Sequence, residues 1–348
     1  MEDKALKGFE SAIEYLPPEI KRLLSYLPQN IKSSVKEIQL RIYRPLVINT
    51  GIKNYFLTEK GELTSDFKGQ LFCINRINFE QCFQNICEHS IYSYQNEIVN
   101  GFITLKGGHR AGLAGTAVLS DGNIKNVKDI STINLRIARE IEGCSKSVID
   151  RVFSDKICSI VIAGSPASGK TTVLRDMARN LSLGYNSRYY KISIVDERGE
   201  IAASYKGEPQ NTFGPCCDVL DLYKKSDGII HAVRALSPDI IICDEIGGEA
   251  DANAIKHGVN SGTIFIASIH ADSIDELWAK PWFCELMQWD IFEKAVILEG
   301  REAPGTVKGI YGLSDIYDKN YRINSDNNIL NGFWNDSSIK INRKSNGA

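Results

Sequence analysis

The sequence predicts an α+β domain followed by an α/β domain with a mainly parallel sheet, on three observations. Up to about residue 145, strand-like runs are separated by Gly-Gly and Asp-Gly turns, the pattern of antiparallel pairing. From there the pattern becomes apolar strands with helical stretches between them: ICSIVIAG, KISIVDERGE, DIIICDEIG and TIFIASIHA. Strands apolar on both faces belong to a parallel sheet covered by helices. Third, 348 residues, 43% hydrophobic and 24% charged, suit two soluble domains of ordinary size.

In chain order, PPEIKRLLSYL (17–27) is amphipathic and helical, and KEIQLRIYRPLVINTG supplies β-branched residues for two successive strands. Residues 75–95 read as helix. GFITLKGGHRAGLAGTAVLSDGN adds strands joined by glycine turns, and STINLRIARE (131–140) adds another, on which Arg136 and residue 138 share one face while Arg139 points away. The change of pattern near SKSVIDRVFSDK divides the chain into 1–145, an α+β N-terminal domain, and 146–318, an α/β domain. A polar tail, 319–348, is rich in asparagine and serine and expected to be loosely ordered.

A formal net charge of −2 provides no global field toward nucleic acid or anionic lipid. With no basic run interleaved with aromatics, no nucleic-acid partner is expected. The nine cysteines lack paired CxxC spacing, and Cys158 and Cys243 lie in apolar runs, so reduced thiols are expected. The neighbours Cys216 and Cys217 read as inert thiols rather than a redox switch. No apolar run approaches membrane-spanning length and the start MEDKALKGFESAIEY is charged, so the chain is expected neither to span a membrane nor to enter a secretory path by itself.

The chemistry begins at GSPASGKT (164–171), which matches G-x-x-x-x-G-K-[ST] between the strand SIVIA and the helical run TTVLRDMARNLS. This is the context of a phosphate-binding loop, and it makes the second domain a P-loop NTPase. Gly164 and Gly169 allow close backbone approach, and the intervening Ser165, Pro166, Ala167 and Ser168 carry the loop around a β-phosphate. Lys170 reaches the β- and γ-phosphates, Thr171 can ligate Mg²⁺, and Thr172 follows at the helix start. ATP with Mg²⁺ is the expected ligand.

In DIIICDEIGG the apolar strand ends in Asp244, a magnesium-binding acid, and Glu245, which can polarise an attacking water. A glutamate here favours hydrolysis over transfer to a small-molecule acceptor, and intact Lys170, Thr171, Asp244 and Glu245 leave little reason for an inactive scaffold. Asp196, Glu197, Arg198 and Glu200 in VDERGEI end another strand, and IASIHA brings His270 to a fourth. Ligands of open parallel sheets lie at the carboxyl ends of strands, where these groups should converge. A histidine closing an apolar strand is more often a core residue; three committed neighbouring strand ends shift that balance toward function. Arg234 is either a solvated helix arginine or a phosphate sensor. Lys170 is the one obvious cation of the loop, so a γ-phosphate would gain from an arginine of the first domain, with Arg110, Arg136 and Arg139 as candidates. The aromatic run LWAKPWFCELMQWDIF reads as helical packing before partner surface.

Together GFITLKGGHRAGLAGTAV, NLRIAREIEG, GSPASGKTT, VDERGEIA, RALSPDIIICDEIG, IASIHA and FEKAVILEGREAPGTVKGIYG resemble the stage III sporulation protein AA family of endospore formers. The likeness runs from about residue 30 to 317, and that family is similar to the AAA+-like secretion ATPases of type II and type IV systems, which implies a P-loop domain of the RecA/AAA+-like kind. Ser165 and Ala167 depart from it, standing where such proteins often carry glycine or proline. The resemblance implies that VDERGE is an acidic box with Glu200 as a candidate base, IASIHA is a histidine box, and N-terminal arginines, Arg136 or Arg139 among them, serve as fingers. It further implies a cytoplasmic ATPase, a homo-hexamer peripheral to the membrane on the mother-cell side. There it would work beside membrane proteins of the same operon on a channel between mother cell and forespore. The competing reading is a nucleic-acid-associated P-loop ATPase.

Overall fold

The computed structural model describes residues 2–154 and 156–314, so the tail expected at 319–348 lies outside the described residues. The first seven strands form one antiparallel sheet: β1 (Glu37–Arg41), β2 (Val47–Asn49), β3 (Asn54–Leu57), β4 (Leu63–Thr64), β5 (Phe102–Thr104), β6 (Arg110–Ser120) and β7 (Asn123–Arg136). Their order is β4-β3-β2-β1-β7-β6-β5. Ile38, Leu40, Ile133 and Leu135 point from its centre into a core completed by Phe9, Leu24 and Phe79 from flanking helices. The Asp-Gly turn joins β6 to β7 in two residues, Asp121 (φ 53°) and Gly122 (φ 78°), the paired positive angles that a tight hairpin's twist requires.

Two expectations for this half change. The strand in STINLRIARE ends at Arg136, so Arg139 lies beyond it and the alternation of faces does not reach that residue. The helical stretch 75–95 is split into a helix, Arg76–Ile86, a 3₁₀ turn, Ile91–Tyr94, and the start of a second helix, Gln95–Val99.

The second sheet comprises β8 (Ile160–Gly164), β9 (Ile192–Asp196), β10 (Cys217–Asp221), β11 (Ile240–Cys243), β12 (Ile264–His270), β13 (Lys294–Leu298) and β14 (Val307–Gly312). Its order is β10-β9-β11-β12-β8-β13-β14, parallel throughout except for the β13–β14 pair. Ile160 and Ile162 pack into a core on one face, while Val161 and Ala163 pack into a core on the other. That double burial is why β8 is apolar from Ile160 to Ala163 and β11 from Ile240 to Cys243. β12 lies between β8 and β11, although it follows both in sequence. This insertion puts the end of β12 between the phosphate loop and the acidic strand.

Trp278, Phe283, Leu286, Met287 and Phe292 of the aromatic run are buried, with Trp289 exposed at its end. All nine cysteines are free thiols, and full burial pushes Cys82 and Cys243 up to about 12, which leaves them protonated and unreactive. Among the described residues no helix is long and apolar enough to cross a membrane.

Candidate active site

The loop after β8 leads into the helix Lys170–Ser182, whose first N–H groups have no carbonyl partner within the helix and face an incoming anion. Gly169 begins this helix at φ 91°, and a Cβ there would come 2.7 Å from the main-chain nitrogen of Gly305. At Gly164 a Cβ would fall 2.5 Å from Ser168 Oγ, a buried hydroxyl with no partner. The backbone is therefore drawn tighter than any side chain permits, and one buried polar atom is left to be satisfied from within the loop. Ala167 holds φ 65° without being glycine. The connection from β13 to β14 buttresses the loop, Gly305 N–H donating to Ser168 O at 2.7 Å. Nothing in the sequence pattern announces this contact, because the two segments lie far apart in the chain.

Lys170 is buried, and its ammonium donates to the carbonyls of Gly164 (2.8 Å) and Ser165 (2.9 Å) and to His270 Nδ1 (3.1 Å). Burial lowers its pKa, against the pull of Asp244, Glu245 and Asp272. An ammonium can only donate, so His270 Nδ1 accepts and the proton sits on Nε2, which donates to Glu245 Oε1 at 2.9 Å. His270 therefore joins the phosphate-loop lysine to the candidate water-activating glutamate. Thr171 Oγ1 donates to Asp244 Oδ2 at 2.5 Å, and Ser268 Oγ donates to Asp244 Oδ1. A hydroxyl beside a carboxylate is a hard oxygen pair that suits Mg²⁺ held with phosphate oxygens. Among the described residues no cluster of three or more His, Cys, Asp or Glu is placed to hold a metal ion.

Glu245 sits at φ 51°, with its other carboxylate oxygen 2.6 Å from the Arg198 guanidinium. The acidic turn after β9 separates into different tasks. Asp196 is buried and accepts from the N–H groups of Glu200 (2.9 Å), Ile201 (3.0 Å) and Ala202 (2.8 Å), folding the turn on itself. Its burial raises its pKa, opposed by those same N–H groups. Glu200 points toward the first sheet, where Oε1 accepts from Arg110 at 3.0 Å.

The structure does not bring the first-domain arginines to the phosphate loop of their own chain. Arg110 pairs with Glu200 and stacks on the Phe102 ring. Arg139 donates to the carbonyls of Ser33 (2.7 Å) and Val35 (2.9 Å). Arg136 has a side chain 68% exposed and lies 3.6 Å from Glu37. Two participants escape the sequence reading, Ser268 and Lys225. Both look ordinary in the sequence, one inside an apolar strand and the other in a charged turn.

With this geometry described, comparison with known proteins is informative. A family model described as Sporulation stage III, protein AA matches residues 10–316. Stage III sporulation protein AA of Bacillus subtilis (strain 168) is 33% identical over 299 residues, covering 86% of this chain and 93% of that one. The ATPase DotB of Legionella pneumophila superposes with a TM-score of 0.51 at 15% identity, over 80% of this chain and 75% of that one. The pilus retraction motor PilT with bound ADP does so with a TM-score of 0.50 at 14% identity, over 77% and 76%. At these identities the structural likeness establishes the fold, that of P-loop secretion and motor ATPases.

Proposed function

This chain belongs to the stage III sporulation protein AA family, and we propose that it is an ATP-hydrolysing mechanochemical ATPase that powers or assembles the mother cell–forespore transenvelope channel. One observation carries the reading: Lys170, His270 and Glu245 form a continuous hydrogen-bonded line beside the Thr171–Asp244 pair. Residues 164–172 would hold the phosphates, Thr171 and Asp244 the Mg²⁺. Bound Mg²⁺ would neutralise charge on the phosphate oxygens. Glu245 orients a water and accepts its proton at a carboxylate oxygen, while His270 holds that carboxylate from its Nε2–H. Glu200 is the second candidate base, although its carboxylate engages Arg110.

In this reading residues 1–145 are the N-terminal domain, 146–318 the ATPase domain and 319–348 a tail. The chains assemble as a homo-hexamer in the cytoplasm, peripheral to the membrane on the mother-cell side, with membrane proteins of the same operon as partners. The test is to size the purified chain with and without ATP and Mg²⁺ while following phosphate release. A ring that forms on nucleotide and turns over slowly supports the proposal. A monomer that releases no phosphate sinks it, and stimulation by single-stranded DNA would favour the nucleic-acid-associated alternative.

A further inference from the structure

Two lysines are buried among the described residues, Lys170 and Lys225. A buried ammonium is costly unless paired, and the phosphate loop accounts for Lys170 alone. Lys225 begins the helix Lys225–His231. Its ammonium donates to Glu197 Oε2 at 2.9 Å and to the main-chain oxygen of Glu245 at 2.9 Å, with Asp251 Oδ2 3.9 Å away. It thereby ties the turn after β9, the turn after β11 and the helix Glu249–Val259 together.

The contact with Glu245 matters because of that residue's backbone. Glu245 occupies the left-handed region at φ 51° without being glycine, a conformation that persists only where its surroundings enforce it. Two groups do so from opposite sides. Ser268 Oγ accepts the Glu245 N–H at 2.8 Å, and Lys225 donates to the Glu245 carbonyl. With both main-chain groups held, the direction of the Cα–Cβ bond is set, and the carboxylate is delivered toward His270 and Arg198.

We infer that Lys225 is a positioning residue that fixes the left-handed turn at Glu245 and so places the water-activating carboxylate; this rests on the ATPase reading above. Its loss lets the turn relax and displaces the carboxylate. A misplacement of about 1 Å costs on the order of 10²-fold in rate. Its hydrogen bonds reach Glu197 and Glu245 and none of the phosphate-loop residues, so nucleotide affinity should hold.

The experiment is a double-variant cycle on the full chain with ATP and Mg²⁺, measuring kcat, KM, affinity for a fluorescent ATP analogue and Tm for Lys225→Met, Glu197→Gln and both together. Removing both partners leaves no uncompensated charge of that pair, which keeps the test alive if Lys225→Met alone does not fold. The expected result is a loss of about 30-fold or more in kcat when Lys225→Met is added to the Glu197→Gln background, with affinity within about twofold. A loss seen in the parent but abolished in the Glu197→Gln background would show that Lys225 merely neutralises Glu197, and it would overturn the inference. Parent-like kcat in Lys225→Met would do the same while leaving the ATPase reading standing. Absence of phosphate release from the parent chain would instead fell that reading, and the inference with it.

Discussion

Arg110 Nη1 lies 3.0 Å from Glu200 Oε1, so a candidate arginine finger of the first domain and a candidate base of the second are bonded to each other. Arg139 is likewise engaged, with main-chain carbonyls. Arg136 lies 3.6 Å from Glu37 but keeps a side chain 68% exposed, the most open of the three toward a phosphate of a neighbouring chain. Arg136→Ala is therefore expected to lower kcat by ~10³ with Tm and nucleotide affinity unchanged, the signature of a group acting on transition-state charge. Arg139→Ala should chiefly lower Tm. If Arg136→Ala turns over at the parent rate, the finger must come from Arg198 or Arg234.

Lys170 and Glu245 should separate binding from turnover. Lys170→Ala removes the ammonium of the phosphate loop and is expected to abolish ATP binding. Glu245→Gln keeps the size and one oxygen of the side chain but cannot take a proton, so it should bind ATP and lose turnover by at least ~10². Equilibrium binding of a fluorescent analogue beside a phosphate-release assay reads both. Parent-rate hydrolysis by Glu245→Gln would transfer the base role to Glu200.

Two glycines in contact should differ sharply. Gly169→Ala drives a Cβ to 2.7 Å from the Gly305 nitrogen at φ 91°, so the phosphate loop must shift and ATP affinity should fall at least ~10-fold. Gly305→Ala meets its first atom, in Val173, at 3.8 Å, leaving only the strain of φ 79°. It should cost about 1 kcal/mol of stability and leave binding intact. Calorimetric titration and melting curves on both variants check this; equal loss of binding would show that the buttress itself belongs to the nucleotide site.

His109 provides a pH dependence. Its Nδ1 accepts from Ala138 N–H at 3.0 Å and its Nε2 lies 2.8 Å from Ser11 Oγ, joining the first helix to the segment leaving the first sheet. Burial pushes its pKa down from 6.5 to about 4. The unfolded chain thus takes up a proton before the folded one does. The stability of the neutral form is fully present above about pH 6.5 and is lost as pH falls toward 4, by up to ~3 kcal/mol. Melting temperatures between pH 7.5 and 4.5 should fall more steeply for the parent than for His109→Asn. Parallel slopes would remove His109 from the account.

Local sequence determined the parts that need only neighbours in the chain. The phosphate loop is legible because strand, glycines, lysine and helix are contiguous, and the β6–β7 hairpin because Asp-Gly supplies two positive φ angles in succession. The parallel sheet is legible because burial on both faces makes its central strands predominantly apolar. Only the tertiary structure decided that β12 lies between β8 and β11, and so that His270 touches both Lys170 and Glu245. The same holds for Ser268 and Lys225 holding the N–H and the carbonyl of Glu245 in the two peptides that flank it, for Gly305 closing on Gly169, and for Arg110 being engaged by Glu200. Hydrophobic period and turn chemistry report which face of an element is buried; they do not encode which strand becomes its neighbour. Strand order and the sign of a single φ are settled by packing over the whole domain, and the chemistry of this site depends on both.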